Sequence, residues 1–460
     1  MSVANQPQST GVLISPNKYG LLAGPIRWLK QPTLLLLLMV GLQVLWLAAT
    51  WLTGASQSGT KLAVLGGLSL LGGLGIILLP APWVSAVGRA KAWLLADDRR
   101  VYAALVALML GVGLVYAYYQ RVWPYDEENN FKAASLVAEQ GLGPFFAEYA
   151  NIPWLGQWHP PLTPLLYGLT AIIFGPHLLA MRLISVVMAA GLVLTTYVLG
   201  RSFYDRETGL WAALFLASFS IIVRQGSTAM TDVPVSFFFT AAMLLVLALP
   251  RRPSFGLAAL TGLVLGAGLL TKYTMVFIYP VIFSYFLFFT DYRRIFWYLV
   301  VAGAVSGGML LAWLGYAASI GVLSAQQASM VTEFEPGYFL KDAGGQRWLL
   351  ESLLTRLTSA LGLYSIPLIL VGVWQVLRRR TRPEWLLLLW VGVVSVLLLF
   401  TLPDHRYFMP TFPALAVMMA VGIKRLSRMS DQIVLLALLY GGVALYLFVD
   451  WFRAAQLFNQ

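Results

Sequence analysis

The chain has 460 residues, 59% of them hydrophobic and only 11% charged, and its mean hydropathy is +0.76. A soluble protein covers its surface with roughly 25% charged residues, so this composition excludes an ordinary soluble globule. The absence of cysteine removes disulfides, thiolate catalysis and cysteine-ligated zinc, and with only three histidines a multi-histidine metal centre is not expected. A net charge of +12 would suggest nucleic acid in a soluble chain. Here it reads as basic cytoplasmic loops, and no nucleic-acid partner is expected.

The first 32 residues are polar and then mildly basic through Lys18, Arg27 and Lys30. No short apolar core with a small-residue cleavage site follows, so no cleaved signal peptide is expected. Apolar runs then recur at the length of a membrane span, about 20 residues. They are continuous rather than alternating, which favours helices over a barrel. Helices are predicted near 33–53, 62–83, 101–119, 179–200, 208–224, 233–250, 256–271, 275–290, 296–316, 357–377, 385–402, 409–423 and 432–450. The expected fold is therefore all-α, a polytopic integral membrane bundle of about 13 transmembrane helices. The apolar stretch 160–177 is bracketed by prolines and reads as a half-buried helix on the outer surface.

Charge orients the bundle. Alternate connections carry Arg89/Lys91/Arg99/Arg100, Arg201/Arg206, Arg251/Arg252, Arg293/Arg294, Arg378 to Arg382, and Lys424/Arg425/Arg428. The positive-inside rule makes that side cytoplasmic, together with the N-terminus. The expected location is a plasma membrane, the inner one in a bacterium. The opposite face receives two long segments, 120–160 and 317–356, and most of the acidic residues. Gly321, Gly337, Gly344 and Gly345 would let the second segment close over a substrate as a lid.

Three constellations on that outer face can carry chemistry. The first is Trp123-Pro124-Tyr125-Asp126-Glu127-Glu128, where a span leaves the membrane. It reads either as a solvated acidic cap, with Asn129 or Asn130 capping a helix over 131–140, or as a carboxylate whose pKa is raised for general-base work. The trio also has oxygen ligands for a divalent cation, but such spacing is unspecific, and no metal or other cofactor is expected to be required. The second is Trp158-His159-Pro160-Pro161-Leu162, at the return to the membrane. It is either a proline-started helix with an interfacial tryptophan or an imidazole that donates to an anion. The third is a set of cations at outer helix ends: Arg182, Arg224, Lys272 and Arg406. Each alone could snorkel to headgroups; four together on the disfavoured side suit a phosphate. Asp232 and Asp404 lie at the same level and are candidate partners. No Walker motif or dinucleotide fingerprint is present, so a lipid-linked donor fits better than a nucleotide.

The ordered motifs resemble a known family. Asp126-Glu127, His159-Pro160-Pro161-Leu162, Arg182 with Ser185 after Phe174-Gly175-Pro176, and Met230-Thr231-Asp232-Val233-Pro234 are followed by Gly268-Leu269-Leu270-Thr271-Lys272. Arg406-Tyr407-Phe408 with Pro410 and Pro413 completes the series. The chain is similar over about 101–425 to the GT-C glycosyltransferases of family 39, the protein mannosyltransferases and aminoarabinose transferases. The resemblance implies a polyprenyl-phosphate-sugar donor, transfer with inversion, and a lipid, glycan or protein acceptor. It implies Asp126 as catalytic carboxylate supported by Glu127. His159, Lys272 and Arg406 would bind the donor phosphate, with Arg182 and Arg224 as secondary candidates and Asp232, Asp404 and Tyr407 supporting. The aminoarabinose transferases carry lysine where His159 stands. Residues 1–100 would then be a cytoplasmic N-terminus with two additional helices. Residues 101–425 would be the catalytic core, and 426–460 a last helix with an outer C-terminus. Other functions to weigh are a ligase or polymerase using a diphosphate-linked donor, and a lipid or anion transporter, which would show internal repeats and helices broken near the midplane.

Overall fold

Backbone amides surrounded by lipid have only each other as partners, so apolar runs of span length fold as helices. The computed structural model describes residues 32–52, 59–120, 126–152, 156, 159–289, 292–333, 357–358, 360–398, 404–424 and 429–447. Among these every regular element is helical. In chain order they are α1 Pro32–Leu52, α2 Gly59–Ile77, α3 Ala81–Leu95, α4 Asp98–Tyr119, α5 Asp126–Gln140 and α6 Leu142–Glu148. Then come α7 Leu162–Phe174, α8 Leu178–Phe203, α9 Arg206–Ser218, α10 Ser220–Gly226, α11 Asp232–Ala248, α12 Phe255–Thr271 and α13 Ile278–Phe289. The last group is α14 Phe296–Ser319, α15 Val322–Glu333, α16 Ser365–Arg379, α17 Arg382–Leu398, α18 Phe412–Lys424 and α19 Ser430–Leu447.

Each predicted segment contains helix among the described residues, but fewer than the expected 13 have the length of a span. Seven helices are long and apolar enough to cross a membrane, or eight if the bent pair α9–α10 is one span. α7, α11, α12 and the Tyr273–Phe289 stretch are apolar but shorter. α7 at 13 residues rises about 20 Å, less than the roughly 30 Å hydrocarbon core. The structure differs from expectation in three places. The connection after α2 contains a helix of its own, α3, which buries none of its residues. The segment 208–224 is broken at Phe219, where α9 and α10 meet at a 68° bend. The helix expected over 131–140 begins at Asp126, so the acidic trio forms its first turn.

Lipid offers no hydrophobic drive for helix association, so close packing needs small residues at the crossings. Gly372 of α16 and Gly422 of α18 face each other: a Cβ at Gly422 would sit 2.8 Å from the Gly372 nitrogen. A Cβ at Gly262 of α12 would lie 2.6 Å from the Ala302 carbonyl of α14. α8, fully apolar at its centre, runs through the middle of the main core with Leu192, Val193 and Tyr197 buried against α4, α9 and α11. α1 and α2 pack along each other and onto α19, with Val40 meeting Gly73 and Tyr440 over the same glycine.

The two ends of the bundle are chemically distinct. At one end the basic connections meet: Lys91 bonds Glu207 and Asp431 at 2.7 and 2.8 Å, Arg201 and Arg206 bond Asp98 at 2.7 and 3.2 Å, Lys424 pairs with Asp205, and Arg379 pairs with Glu384 at 3.3 Å. The other end gathers the candidate site residues.

Candidate active site

α5 opens on Asp126, Glu127 and Glu128, at the helix end where the macrodipole favours anions. Consecutive helical residues point about 100° apart, and here the two first carboxylates go to different partners. Glu127 turns inward. Nε and Nη2 of Arg182, on α8, donate to its two oxygens at 2.8 and 2.7 Å, and the Ala229 backbone N–H donates to Oε1 at 2.7 Å. Arg182 Nη1 donates to the carbonyls of Ala117 and Gln120 at 2.6 and 2.9 Å. Both side chains are 0% exposed. The pair therefore ties the end of α4, the start of α5 and the turn before α11 into one strut. Asn130 adds to it, its Nδ2 donating to the Ala229 carbonyl at 2.9 Å rather than capping a helix. Tyr167 of α7 donates to the Met230 carbonyl at 2.5 Å and meets Ser185 at 2.8 Å.

Asp126 faces the other way, toward Arg406. Arg406 Nη1 donates to Asp126 Oδ2 at 2.9 Å, while Nε and Nη2 hold Asp404 at 2.9 and 2.8 Å. The Asp126, Arg406 and Asp404 side chains are 16%, 14% and 19% exposed, against 3% for Asp232, so a ligand can reach this charged group. Asp404 also caps the short 3₁₀ stretch His405–Thr411, accepting the Arg406 backbone N–H at 3.0 Å, and His405 Nδ1 lies 3.1 Å away. Lys272 ends α12, its Nζ donating to Asp232 at the start of α11 at 2.7 Å and sitting 4.2 Å from the Tyr407 ring centroid. Gly268 permits that corner: a Cβ there would lie 2.7 Å from Met275 in the following 3₁₀ turn.

Electrostatics bind these groups into one site. Burial pushes the Asp126 carboxyl above its ordinary range, against the opposing charge of Arg406; Asp232 adds to the rise and Lys272 subtracts from it. Burial alone would raise Asp404 too, but His405 and Arg406 outweigh it and hold that carboxyl well below its usual range. Burial, then the positive charges of Lys272 and Arg406, hold His159 well below its ordinary value. The imidazole is thus neutral at pH 7, an acceptor and donor of hydrogen bonds rather than a counter-charge. Asp126, Asp232 and Asp404 face Lys272 and Arg406, three carboxylates against two cations. Asp126 is raised where Asp404, on the same guanidinium, is lowered.

The structure brings together Asp126, His159, Asp232, Lys272, Asp404, Arg406 and Tyr407. Arg182 and Glu127 lie beneath them as the strut, not as open groups. Arg224 on α10 lies by Tyr116 of α4, on the Arg182 side. The acidic trio is split among Arg406, Arg182 and an exposed Glu128, and among the described residues no group of three or more acidic or histidine side chains is placed to hold a metal. Trp123, Pro124, Tyr125 and Trp158 lie outside the described residues, as do Gly337, Gly344 and Gly345. Four polar residues near the site were not foreseen: Tyr149, Tyr273, Gln326 and His405. His405 was within reach, since it stands between two residues already singled out.

Comparison with known proteins follows the same ground. The family described as dolichyl-phosphate-mannose-protein mannosyltransferase matches residues 158–313. The undecaprenyl phosphate-α-4-amino-4-deoxy-L-arabinose arabinosyl transferase of Pseudomonas paraeruginosa is 29% identical over 220 residues, 45% of this chain and 39% of that protein. The chain thus spans about two fifths of the length of the curated relatives it matches. The crystal structure of ArnT from Cupriavidus metallidurans bound to undecaprenyl phosphate superposes with a TM-score of 0.53 at 16% identity, covering 70% of this chain and 60% of that one. The archaeal oligosaccharyltransferase AglB from Archaeoglobus fulgidus gives 0.52 at 15% identity, covering 79% and 56%. The fold is the GT-C fold. The matched family window contains His159, Arg182, Arg224, Asp232 and Lys272 but neither Asp126 nor Arg406. Those two belong to the cluster by geometry alone.

Proposed function

We propose that this chain is a membrane glycosyltransferase that moves a sugar from a polyprenyl-phosphate carrier to an acceptor on the outer face, with Asp126 as catalytic base. The observation that carries it is the partly open Asp126–Arg406 pair beside Lys272, a proton acceptor next to two cations. The acceptor hydroxyl attacks the anomeric carbon while Asp126 takes its proton. The carbon–oxygen bond to phosphate breaks, and its electron pair leaves on the polyprenyl phosphate. Arg406 and Lys272 stabilise the charge that grows there, and His159 donates from the side. One displacement with one base inverts the anomeric centre. The named donor chemistry of the Pseudomonas relative and the lipid phosphate in the Cupriavidus structure support the carrier class.

Each cation is already matched to a carboxylate, which suits a single phosphate better than a diphosphate-linked donor. A transporter would place its ionisable groups and broken helix together at mid-membrane. Here the break at Phe219 is capped by a tyrosine, and the cluster sits at the bundle end.

The test is purified protein offered a panel of polyprenyl-phosphate sugars, with released polyprenyl phosphate measured by mass spectrometry. Wild type should turn over at least one donor. Asp126→Asn should lose about 10²–10⁴-fold, the range for a general base. Equal turnover in both would remove Asp126 from the chemistry, and no turnover with any donor would remove the transferase function.

A further inference from the structure

Gln326 stands on α15, in the second long segment between spans, and its side chain is buried (1% exposed). Its neighbour Gln327 is exposed, so helix phase selects one of two adjacent amides. The Gln326 Nε2 donates to the His159 carbonyl at 3.1 Å, and its Oε1 accepts from the Tyr273 hydroxyl at 2.7 Å. Trp313 Nε1 donates in turn to the Tyr273 oxygen at 2.9 Å, and Tyr149 donates to the same His159 carbonyl at 2.7 Å.

The direction of this relay is fixed at both ends. An indole N–H can only donate and a peptide carbonyl can only accept, so Tyr273 must give its proton to Gln326 and the amide must turn its NH₂ to His159. Only a side chain with one acceptor and one donor closes the chain. Tyr273 immediately follows Lys272. The relay therefore spans the gap between two groups that flank the same anion position, His159 on one side and Lys272 on the other.

We infer that Gln326 is a positioning residue of this site, locking the His159 backbone to the Lys272–Tyr273 corner so that imidazole and ammonium keep a fixed separation around a phosphate. This rests on the phosphate-binding assignment made above. A helix outside the cluster thereby sets the cluster's geometry.

The experiment measures binding of undecaprenyl phosphate to the full-length protein, and turnover where a donor is found. Gln326→Leu keeps the volume but breaks both bonds, and should weaken binding by about tenfold or more, as expected when a buried donor and acceptor lose their partners. Tyr273→Phe should give a similar loss, and the double variant no more than the worse single, because both cut one relay. Gln326→Glu gives the distinguishing readout. An ionised carboxylate cannot donate to His159, but a protonated one carries one donor and one acceptor as the amide does. Its binding deficit should shrink as pH falls, a change that a packing role alone would not produce. A Gln326→Leu variant that binds like wild type, or a Gln326→Glu deficit that is flat with pH, overturns the inference. If wild type itself fails to bind undecaprenyl phosphate, the phosphate-site assignment falls and the inference falls with it.

Discussion

Asp126 and Glu127 are adjacent carboxyl side chains and unlike in every consequence. Glu127 is locked by Arg182 and Ala229, whereas Asp126 is only partly countered by Arg406 and is raised by burial. A base with a raised pKa loses its ionised form as pH falls through that value. The acidic limb of kcat/KM should therefore lie above the ordinary aspartate value of about 4. Arg406→Gln removes the largest opposing charge, so that limb should move further up, by about one unit or more, as well as lowering the maximal rate. A pH–rate profile of the two proteins checks this; a limb that stays put would mean that another group controls it. Asp126, Lys272 and Arg406 were legible in the sequence because each stands in a short ordered motif at a helix end. Arg182 was not correctly legible, since its use depends on a carboxylate 55 residues earlier that no local spacing connects to it. Gln326 was not legible at all, because a Gln-Gln pair in a polar segment gives no sign of which amide faces inward.

Single elements are positioned by the strut and by one tight crossing. Removing one partner of a buried ion pair leaves an uncompensated charge, at a cost of about 3–5 kcal/mol. Arg182→Leu should therefore lower the thermal midpoint strongly, and Glu127→Leu added to it should restore part of the loss. A double variant no more stable than Arg182→Leu would show that the carbonyls of Ala117 and Gln120, not the charge, dominate. The crossing is Gly168 of α7 against Val137 of α5, where a Cβ would lie 2.6 Å from the valine Cβ. Gly168→Ala should tilt α5, move Asp126 and reduce turnover, and Val137→Gly in the same chain, which removes the opposing Cβ with both methyls, should recover it; failure to recover would place the defect elsewhere. Helix existence was readable from apolar run length alone. The start of α5 and the break at Phe219 were not, because each depends on partners far away in the chain.

For the whole molecule, alternation of basic connections anticipated that one end would gather them, and Lys91, Arg201, Arg206, Arg379 and Lys424 do meet there with their carboxylates. Which compartment each end faces is open to direct measurement, because the chain has no cysteine of its own. A thiol introduced as Glu128→Cys should react with an impermeant maleimide in intact cells, and one introduced as Arg252→Cys only after permeabilisation. Labelling of both from one side would overturn the orientation. The break at Phe219 has a last consequence. A bent helix within apolar surroundings frees a carbonyl, and here Tyr364 donates to that of Ser218 at 3.0 Å. The last helix presses on the same spot, where any Cβ at Gly441 would overlap the Ser218 carbonyl. The bend is held from two sides and works as a rigid elbow rather than a joint. The two arms of that elbow, α9 and α10, should then keep their angle whatever shifts around them.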